Sequence, residues 1–437
     1  MSLTRRSFLS LPLAAGLTSA RHSEASLARR SAMGAEAAQA SDGQLPPPIA
    51  ALTSMKGREK PITSDERRAR IEKARQLMAE QRIDALMLCS GTSLVYFTNM
   101  RWSGAERLFA FVLPRSGEPF VVCPAFEEER AREQVALGPF GGAKADVRTW
   151  QEHESPYERV AQGLRDRGVA TGRLGIEETT KFVFSDGVAQ AAPTVKLVSG
   201  TPVTAGCRMT KDAHELALMR LASEVTWKAY KAAYESLKEG MTQNDFARLV
   251  AAAHSKLGFS GGAGVQVGQY SALPHGSIQP QVVTEGSILL IDGGCSVEGY
   301  TSDISRTFVL GKPTDKMKRV FEIERKAQDA ALAAAKPGVP CEAVDAAARK
   351  VIEDAGFGPG YTYFTHRVGH GMGMDGHEWP YLVKGNTLPL APGMTFSDEP
   401  GIYIRGEFGV RLEDDMVITE TGAELFTKQS DSLEKPF

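Results

Sequence analysis

The chain has 437 residues, of which 42% are apolar and 24% are charged, and its formal net charge is −2. This length suffices for two domains, because single cores stop growing near ~250–300 residues. The balanced charge gives no basic surface for nucleic acid, and no apolar run reaches the ~20 residues of a membrane-spanning helix. The five cysteines are scattered and include no CxxC pair, which predicts neither a disulfide framework nor a thiolate zinc site.

The first residues resemble a twin-arginine export signal. The pair Arg5 and Arg6 precedes a mildly apolar stretch at the extreme N-terminus, a pattern typical of such signals. The alternative is two surface arginines before a short helix. We expect a signal over residues 1–25 and therefore a periplasmic or secreted protein. Residues 26–60 are rich in Ala, Ser, Gln and Pro, which predicts a disordered tether.

Residues 61–195 predict a small α/β domain. Ser64 is placed to cap an amphipathic helix. The continuous apolar run 85–89 is typical of a buried strand. Two further apolar runs, 109–113 and 120–123, are separated by Pro-Arg-Ser-Gly and predict a strand, a turn and a second strand. The region contains no catalytic constellation.

Residues 200–437 predict a second domain in which helices cover a sheet. The apolar periodicity predicts helices over 213–238 and 342–355. Thr242 and Thr314 are placed to cap two more helices. Strand-like runs lie between and after these helices.

The strand-like runs contain candidate metal ligands in glycine-rich or apolar motifs: Asp292, Asp303, His370, Glu399 and Glu413. Four carboxylates and one imidazole suit two neighbouring divalent cations, since carboxylates bridge and neutralise the ions. Several of the acids adjoin runs that should be buried, where an unpaired carboxylate is costly. The alternative is that Arg306 and Arg411 neutralise the acids as ion pairs without any metal.

The spacing of the acids indicates two hairpins. Asp292 and Asp303 are eleven residues apart, so on one straight strand they would face opposite sides of a sheet. A hairpin centred on residues 297–298 would place them opposite each other. The two glutamates repeat this geometry about a turn at Gly406.

Four histidines lie in this domain outside its predicted helices: His275, His366, His370 and His377. His370 stands between two glycines, which allow the backbone to pass close to a crowded metal centre. Chance is a poor explanation for such clustering, so these histidines are candidates for the same site.

Five motifs stand in order in the second domain: Ile-Asp-Gly-Gly at 291–294, Gly-Tyr-Thr-Ser-Asp-Ile-Ser-Arg-Thr at 299–307, Gly-His-Gly-Met-Gly at 369–373, Glu-Pro-Gly at 399–401 and Arg-Leu-Glu-Asp-Asp at 411–415. They resemble the motif series of the pita-bread metallopeptidases, in the branch of aminopeptidase P and prolidase. The region before them resembles the creatinase-type N-terminal domain of that branch. The resemblance implies an α+β pita-bread catalytic domain after a smaller α/β domain.

The resemblance also implies how the ligands divide. Asp292 would bind one cation, Asp303 and Glu413 would bridge both cations, and His370 with Glu399 would complete the shell of the second.

The same resemblance implies the catalytic roles. Glu399 would also act as the general base. His275 would contact the scissile amide nitrogen, His377 would polarise the scissile carbonyl, and His366 would be a further active-site histidine. Arg411 would hold a carboxylate ligand.

Two positions depart from the family pattern. Ser305 stands where threonine is usual, and Gly376 stands before His377 where an apolar residue is common. The glycine could loosen this histidine.

The implied activity is hydrolysis of peptide bonds next to proline, by an Xaa-Pro aminopeptidase or an Xaa-Pro dipeptidase that uses hydroxide generated at two divalent cations. Manganese is favoured, and Co, Zn or Fe would fit. Proline-containing peptides or dipeptides would be the substrates, and a homodimer is expected. The alternatives are a lyase or other non-peptide hydrolase on the same two-metal site, and an inactive binding module.

Overall fold

The computed structural model describes residues 45–141 and 145–437. The predicted export signal and the first part of the predicted tether lie outside these residues. Within them, no helix has both the length and the apolar character needed to span a bilayer.

The last part of the predicted tether, residues 46–60, contacts the folded domains through two buried side chains. It begins with a short helix, α1 (Pro47–Ala50), in which the side chain of Ile49 is fully buried. The buried residue Met55 donates its backbone N–H to the carbonyl oxygen of Leu257 at 2.9 Å. These two apolar side chains supply the buried surface that a disordered segment lacks, so here the structure differs from the expected tether.

The first domain is built on one mixed sheet. Its strands, β1 to β6, are Ala85–Leu88, Ala110–Pro114, Phe120–Pro124, Asp146–Trp150, Gly172–Ile176 and Val195–Ser199. They lie in the order β4-β3-β2-β1-β5-β6. The strand β2 runs antiparallel to both β1 and β3, and the other pairs are parallel. The three strands predicted near residues 85, 109 and 120 are confirmed.

The helices of this domain, α2 to α7, are Ser64–Glu80, Thr92–Thr98, Glu128–Ala136, Pro156–Asp166, Phe182–Ala191 and Thr201–Arg208. Thr63, rather than Ser64, caps α2. Its hydroxyl accepts the backbone N–H of Glu66, and the Glu66 carboxylate accepts the N–H of Thr63 at 2.7 Å. This reciprocal capping box sets the start of the helix.

The helix α7 belongs to the first domain. Its residues Val203 and Cys207 pack in the same core cluster as Ile71 and Met78 of α2. The domain therefore extends through Arg208, beyond the expected end at residue 195.

The second domain contains helices α8 to α11, which are Ala213–Tyr234, Gln243–Leu257, Asp315–Ala334 and Cys341–Asp354. The hydroxyls of Thr242 and Thr314 cap α9 and α10 as predicted. The first predicted helix ends earlier, at Tyr234 rather than residue 238. All five cysteines are buried and free.

The strands of the second domain, β7 to β17, are Gly261–Val267, Ile288–Val297, Tyr300–Thr301, Ile304–Val309, Gly369–Gly371, Glu378–Leu382, Thr395–Asp398, Gly401–Ile404, Phe408–Arg411, Asp414–Ile418 and Ala423–Leu425. One sheet has the order β10-β8-β7, with β9 paired to β8, and another has the order β12-β11-β13-β16-β17. The strands β14 and β15 form a separate ribbon. The predicted sheet covered by helices is thus divided into two halves.

Each half has its own pair of helices on one face. Tyr230 of α8 and Phe246 of α9 pack with Leu289 and Phe308 of the first sheet. The helices α10 and α11 pack in the same way against the second sheet. Because side chains alternate along a strand, the opposite faces of the two sheets remain for polar residues such as Asp292.

A fully buried arginine, Arg306, connects the two sheets. Its guanidinium donates to the carbonyl oxygen of Glu413 at 2.8 Å and to the carboxylate of Asp414 at 2.7 Å. It also donates to the carbonyl oxygen of Lys428 at 2.9 Å. The Asp414 carboxylate is itself buried, so the ion pair offsets two charges that would otherwise be costly.

Replacing Arg306 with alanine should lower the free energy of unfolding by about 3–5 kcal/mol, because Asp414 would keep a buried charge without its partner. Urea unfolding followed by circular dichroism measures this loss. The control is Lys350→Ala, which removes an exposed ion pair with Asp354 and should leave stability nearly unchanged. Equal stability of the two variants would contradict the role assigned to Arg306.

Candidate metal centre

The two aspartates lie on a hairpin formed by β8, β9 and β10. Its two-residue turn consists of Glu298 and Gly299, whose φ angles of 51° and 89° suit a type I′ turn. The register pairs Asp292 with Ser305, so Asp303, two residues before Ser305, shares the same face. The predicted hairpin is confirmed, but its turn lies one residue later than expected.

The two glutamates lie on a second ribbon, which turns at Gly406 as predicted. Gly401 pairs with Arg411 in β14 and β15, and the pairing of β13 with β16 continues the same register. Glu399 and Glu413 therefore face each other where the two ladders meet.

The ligand atoms of three residues lie within 4.8 Å of one another in each of three sets: Asp292 with Asp303 and Glu413, His370 with Glu399 and Glu413, and Asp303 with His370 and His377. Glu413 belongs to the first two sets. The Oδ2 atom of Asp303 lies 3.9 Å from Nε2 of His370, close to the second set. This is the arrangement that two cations sharing carboxylates require.

The glycines on either side of His370 allow β11 to lie between its neighbours. A Cβ atom at Gly369 would stand 2.0 Å from the carbonyl oxygen of Ser397, and one at Gly371 would stand 2.5 Å from that of Glu378. Side chains at these positions would clash with the backbone of the neighbouring strands, which agrees with the close backbone approach predicted for these glycines.

The crowding of the acids raises the pKa values of two of them. Burial and the neighbouring carboxylate of Asp292 raise the pKa of Asp303 to about 7. Burial, Glu399 and Asp303 likewise raise the pKa of Glu413 well above its usual range. Without cations, the cluster thus gains protons to reduce its negative charge, and divalent cations would neutralise it instead.

His370 and Glu399 form an ion pair within the cluster. Burial opposes a charge on His370, but the hydrogen bond and negative charge of Glu399 outweigh it and raise the His370 pKa to about 9. Burial would raise the pKa of Glu399, but the hydrogen bond with His370, at 3.1 Å, lowers it to about 2. The oxygen-rich donor set fits hard or borderline divalent cations.

Arg411 and Ser305 contact the carboxylate ligands and orient them. Nη2 of Arg411 lies 2.9 Å from Oδ2 of Asp292. The Oγ atom of Ser305 lies 3.0 Å from Asp292 Oδ1 and 2.5 Å from Glu413 Oε2, and it accepts from Nε of Arg411 at 2.9 Å. Arg411 contacts a carboxylate ligand, as the resemblance implied. Arg306 binds Asp414 instead, so it is not the partner of these acids that the ion-pair alternative needed.

Two side chains that sequence reasoning missed orient the ligands. The carboxylate of Asp415 accepts the backbone N–H of Asp303 at 3.1 Å. The hydroxyl of Ser397 donates to Glu399 at 3.1 Å and accepts the backbone N–H of His370 at 3.0 Å. Asp415 is the last acid of the motif at 411–415, which is the signal that could have identified it.

Arg411 also connects two of the predicted histidines to the centre. It donates to the Tyr403 hydroxyl at 3.0 Å, and this hydroxyl lies 2.8 Å from Nε2 of His366. It donates as well to the carbonyl oxygen of Pro274 at 3.2 Å, which anchors the loop carrying the exposed His275. Tyr403 is a further residue that the sequence did not reveal.

His377 lies directly against the ligands. Its ring stacks on that of His370, with centroids 3.6 Å apart and an angle of 16° between the planes. It is exposed on its outer side, where a substrate could reach it. The structure thus brings this histidine to the centre, as the sequence predicted.

Comparison with known proteins identifies the chain. Residues 217–420 match the metallopeptidase family M24, and residues 70–210 match the creatinase/prolidase N-terminal domain. The chain is 34% identical over 372 residues to an Xaa-Pro dipeptidase of Lactobacillus delbrueckii subsp. lactis, a match that covers 83% of this chain and 98% of that protein. The chain belongs to the M24 metallopeptidases. This family uses divalent metal ions.

Solved structures agree with this assignment. A dipeptidase PepE from Mycobacterium ulcerans superimposes with a TM-score of 0.80 at 33% identity, covering 86% of this chain and 99% of that one. A prolidase from Thermococcus sibiricus superimposes with a TM-score of 0.75 at 29% identity, covering 84% and 98%. The expected pita-bread catalytic domain and creatinase-type N-terminal domain are confirmed. The N-terminal match ends at residue 210, which agrees with the place of α7 in the first domain.

Replacing Ser305 with alanine should weaken the binding of Mn²⁺ by about 10–100-fold, because Asp292 and Glu413 would lose the hydroxyl that orients them. Isothermal titration calorimetry on metal-free protein measures the affinity. The control is Ser287→Ala, which removes an exposed hydroxyl in the same domain. Equal Mn²⁺ affinities of Ser305→Ala and Ser287→Ala would refute this role.

Metal affinity should fall as the pH decreases from 8 to 6. The pKa of Asp303 is raised to about 7 and that of His370 to about 9 in the cation-free site, so both compete for protons over this range. A cation must displace these protons, and binding is therefore stronger at the higher pH. Calorimetric titrations with Mn²⁺ at pH 8 and pH 6 measure the two affinities. Equal affinities would contradict the proton competition expected from the crowded acids.

Proposed function

We propose that this chain is an Xaa-Pro dipeptidase that uses two divalent cations to cleave the bond before proline. The observation that carries the proposal is the position of Glu413, which is shared between two sets of ligand atoms within 4.8 Å. The relatives named as Xaa-Pro dipeptidase and prolidase support the substrate class.

The residues present fit the two cations. Asp292, Asp303 and Glu413 would hold one cation, and His370, Glu399 and Glu413 would hold the other, with Asp303 beside both. When bound, such a pair would supply a nucleophile near neutral pH by lowering the pKa of a coordinated water.

The side chains around the cations supply the proton transfers. Glu399, whose carboxylate lies 3.1 Å from Nε2 of His370, would accept a proton from the attacking water. Glu399 then delivers this proton to the departing nitrogen. Without this proton the nitrogen would have to leave as a strongly basic anion, so its departure as an amine depends on the delivery.

The histidines position the substrate. His377, beside His370 and open to solvent, would donate a hydrogen bond to the scissile carbonyl oxygen as negative charge develops on it. The loop of His275 borders the same centre through Arg411 and would contact the amide nitrogen. The network of Arg411, Tyr403 and His366 would keep this side of the site rigid.

Cleavage of dipeptides is favoured over removal of N-terminal residues from longer peptides. The relative with 34% identity carries the name Xaa-Pro dipeptidase and is covered over 98% of its length. Product analysis on Gly-Pro and Gly-Pro-Ala, with the metal content measured on the same sample, tests this choice. Hydrolysis of Gly-Pro alone is expected, hydrolysis of the tripeptide would indicate an aminopeptidase, and no cleavage by metal-loaded protein would support the lyase alternative.

Replacing Glu399 with glutamine should lower kcat on Gly-Pro by at least about 100-fold, because the amide cannot accept the proton. The rate of proline release and the bound metal should be measured on the same sample. The control is Glu407→Gln, which changes an exposed acid at the end of the same ribbon. Near-native turnover by Glu399→Gln would show that another group acts as the base.

We also propose manganese as the native cation, which elemental analysis of the purified protein would test. We propose a homodimer, which sedimentation velocity would test. Export by the twin-arginine route is a third proposal, which cell fractionation would test.

A further inference from the structure

The segment that carries His377 is held by residues of the first domain and of the connection that follows it. The hydroxyl of Thr92, at the start of α3, donates to Asp375 Oδ1. The guanidinium of Arg208, at the end of α7, pairs with both Asp375 and Glu378. These two acids stand on either side of His377 in the chain.

Asp375 and Glu378 anchor the segment before and after His377, and the two anchors differ in their surroundings. Glu378 is buried between Arg208 and Lys211, and Nζ of Lys211 lies 2.6 Å from its Oε1. Asp375 is 43% exposed, and its carboxylate is bound only by Thr92 and Arg208 among the contacts of the described residues. The anchor before His377 therefore depends on the first domain, whereas the anchor after it is part of a buried cluster.

Between the anchors lies Gly376, which departs from the family pattern. A Cβ atom built there would have no neighbour within 4 Å apart from the adjoining residues, so a side chain at this position would stand in open space. Glycine also has the largest backbone freedom of any residue. His377 is held by the contacts at Asp375 and Glu378 and by the stacking of its ring on His370, with centroids 3.6 Å apart. The N–H of Thr301 also fixes the segment by donating to the Gly373 carbonyl oxygen at 2.7 Å.

We propose that the first domain positions His377 for catalysis, with Thr92 and Arg208 acting through Asp375 as positioning residues. This inference rests on the proposed function, because His377 acts there on the scissile carbonyl. A hydrogen-bond donor stabilises a transition state only if it is already oriented, and small displacements of such groups are costly. The first domain thus compensates for the flexible glycine beside the histidine.

The variant Thr92→Val tests this inference on the metal-loaded enzyme, since valine keeps the shape of threonine and lacks the hydroxyl. Hydrogen exchange of residues 372–378 should become faster than in the wild type. On Gly-Pro, kcat should fall on the order of tenfold. KM should change by less than about twofold, because His377 acts mainly in the transition state. Asp375→Asn should have the same effects.

Two controls accompany these variants. Thr92→Ser keeps the hydroxyl and should restore both hydrogen exchange and kcat. Thr194→Val removes a hydroxyl that donates to the Ala170 carbonyl oxygen at 2.7 Å within the first domain, and it should behave as the wild type.

Unchanged hydrogen exchange of residues 372–378 in Thr92→Val would overturn the inference. So would faster exchange with unchanged kcat, or a lower kcat that accompanies loss of metal. If the wild-type enzyme cleaves neither Gly-Pro nor Gly-Pro-Ala, the proposed function fails instead. The exchange measurement still decides in that case whether Thr92 holds the segment.

Discussion

Repulsion among four converging carboxylates is the constraint on which this catalytic domain depends. The pKa of Asp303 rises to about 7 and that of Glu413 rises well above its usual value, because burial and neighbouring acids disfavour their charge. Such a cluster persists in a folded protein only if other contacts hold it in place and positive charge neutralises it. The local positive charge of the protein, from Arg411 and His370, is smaller than the negative charge of the acids, and divalent cations would supply the remainder.

The backbone of the two hairpins holds these acids in place. Register fixes Asp292 and Asp303 on one face of the first sheet, and the ribbon that turns at Gly406 brings Glu399 opposite Glu413. The buried Arg306 joins the two halves, so neither hairpin can move apart from the other without leaving a charge unpaired. The first domain reaches the same centre through Asp375, which relates the two-domain architecture to the chemistry of the site.

The sequence predicted the hairpins, the ligands and the fold class because these depend on local spacing and on motifs of a known family. It placed the first turn one residue early, because spacing alone does not show that Glu298 adopts a positive φ. It also missed the burial of Ile49 and Met55 and the packing of α7, since burial there depends on surfaces that fold from distant parts of the chain. Contacts such as that of Thr92 with Asp375, which are 283 residues apart, leave no periodic signal in one sequence. The contacts of Ser397 and Tyr403 around the ligands left no signal for the same reason.

The most direct test of this account is the anomalous scattering of manganese in crystals of the metal-loaded protein. The account predicts two peaks about 3.5–4 Å apart, as in other two-metal sites. One peak should lie among the carboxylate oxygens of Asp292, Asp303 and Glu413, and the other should lie next to His370 and Glu399. A single peak, or peaks away from Glu413, would contradict the claim that this side chain is shared between two cations.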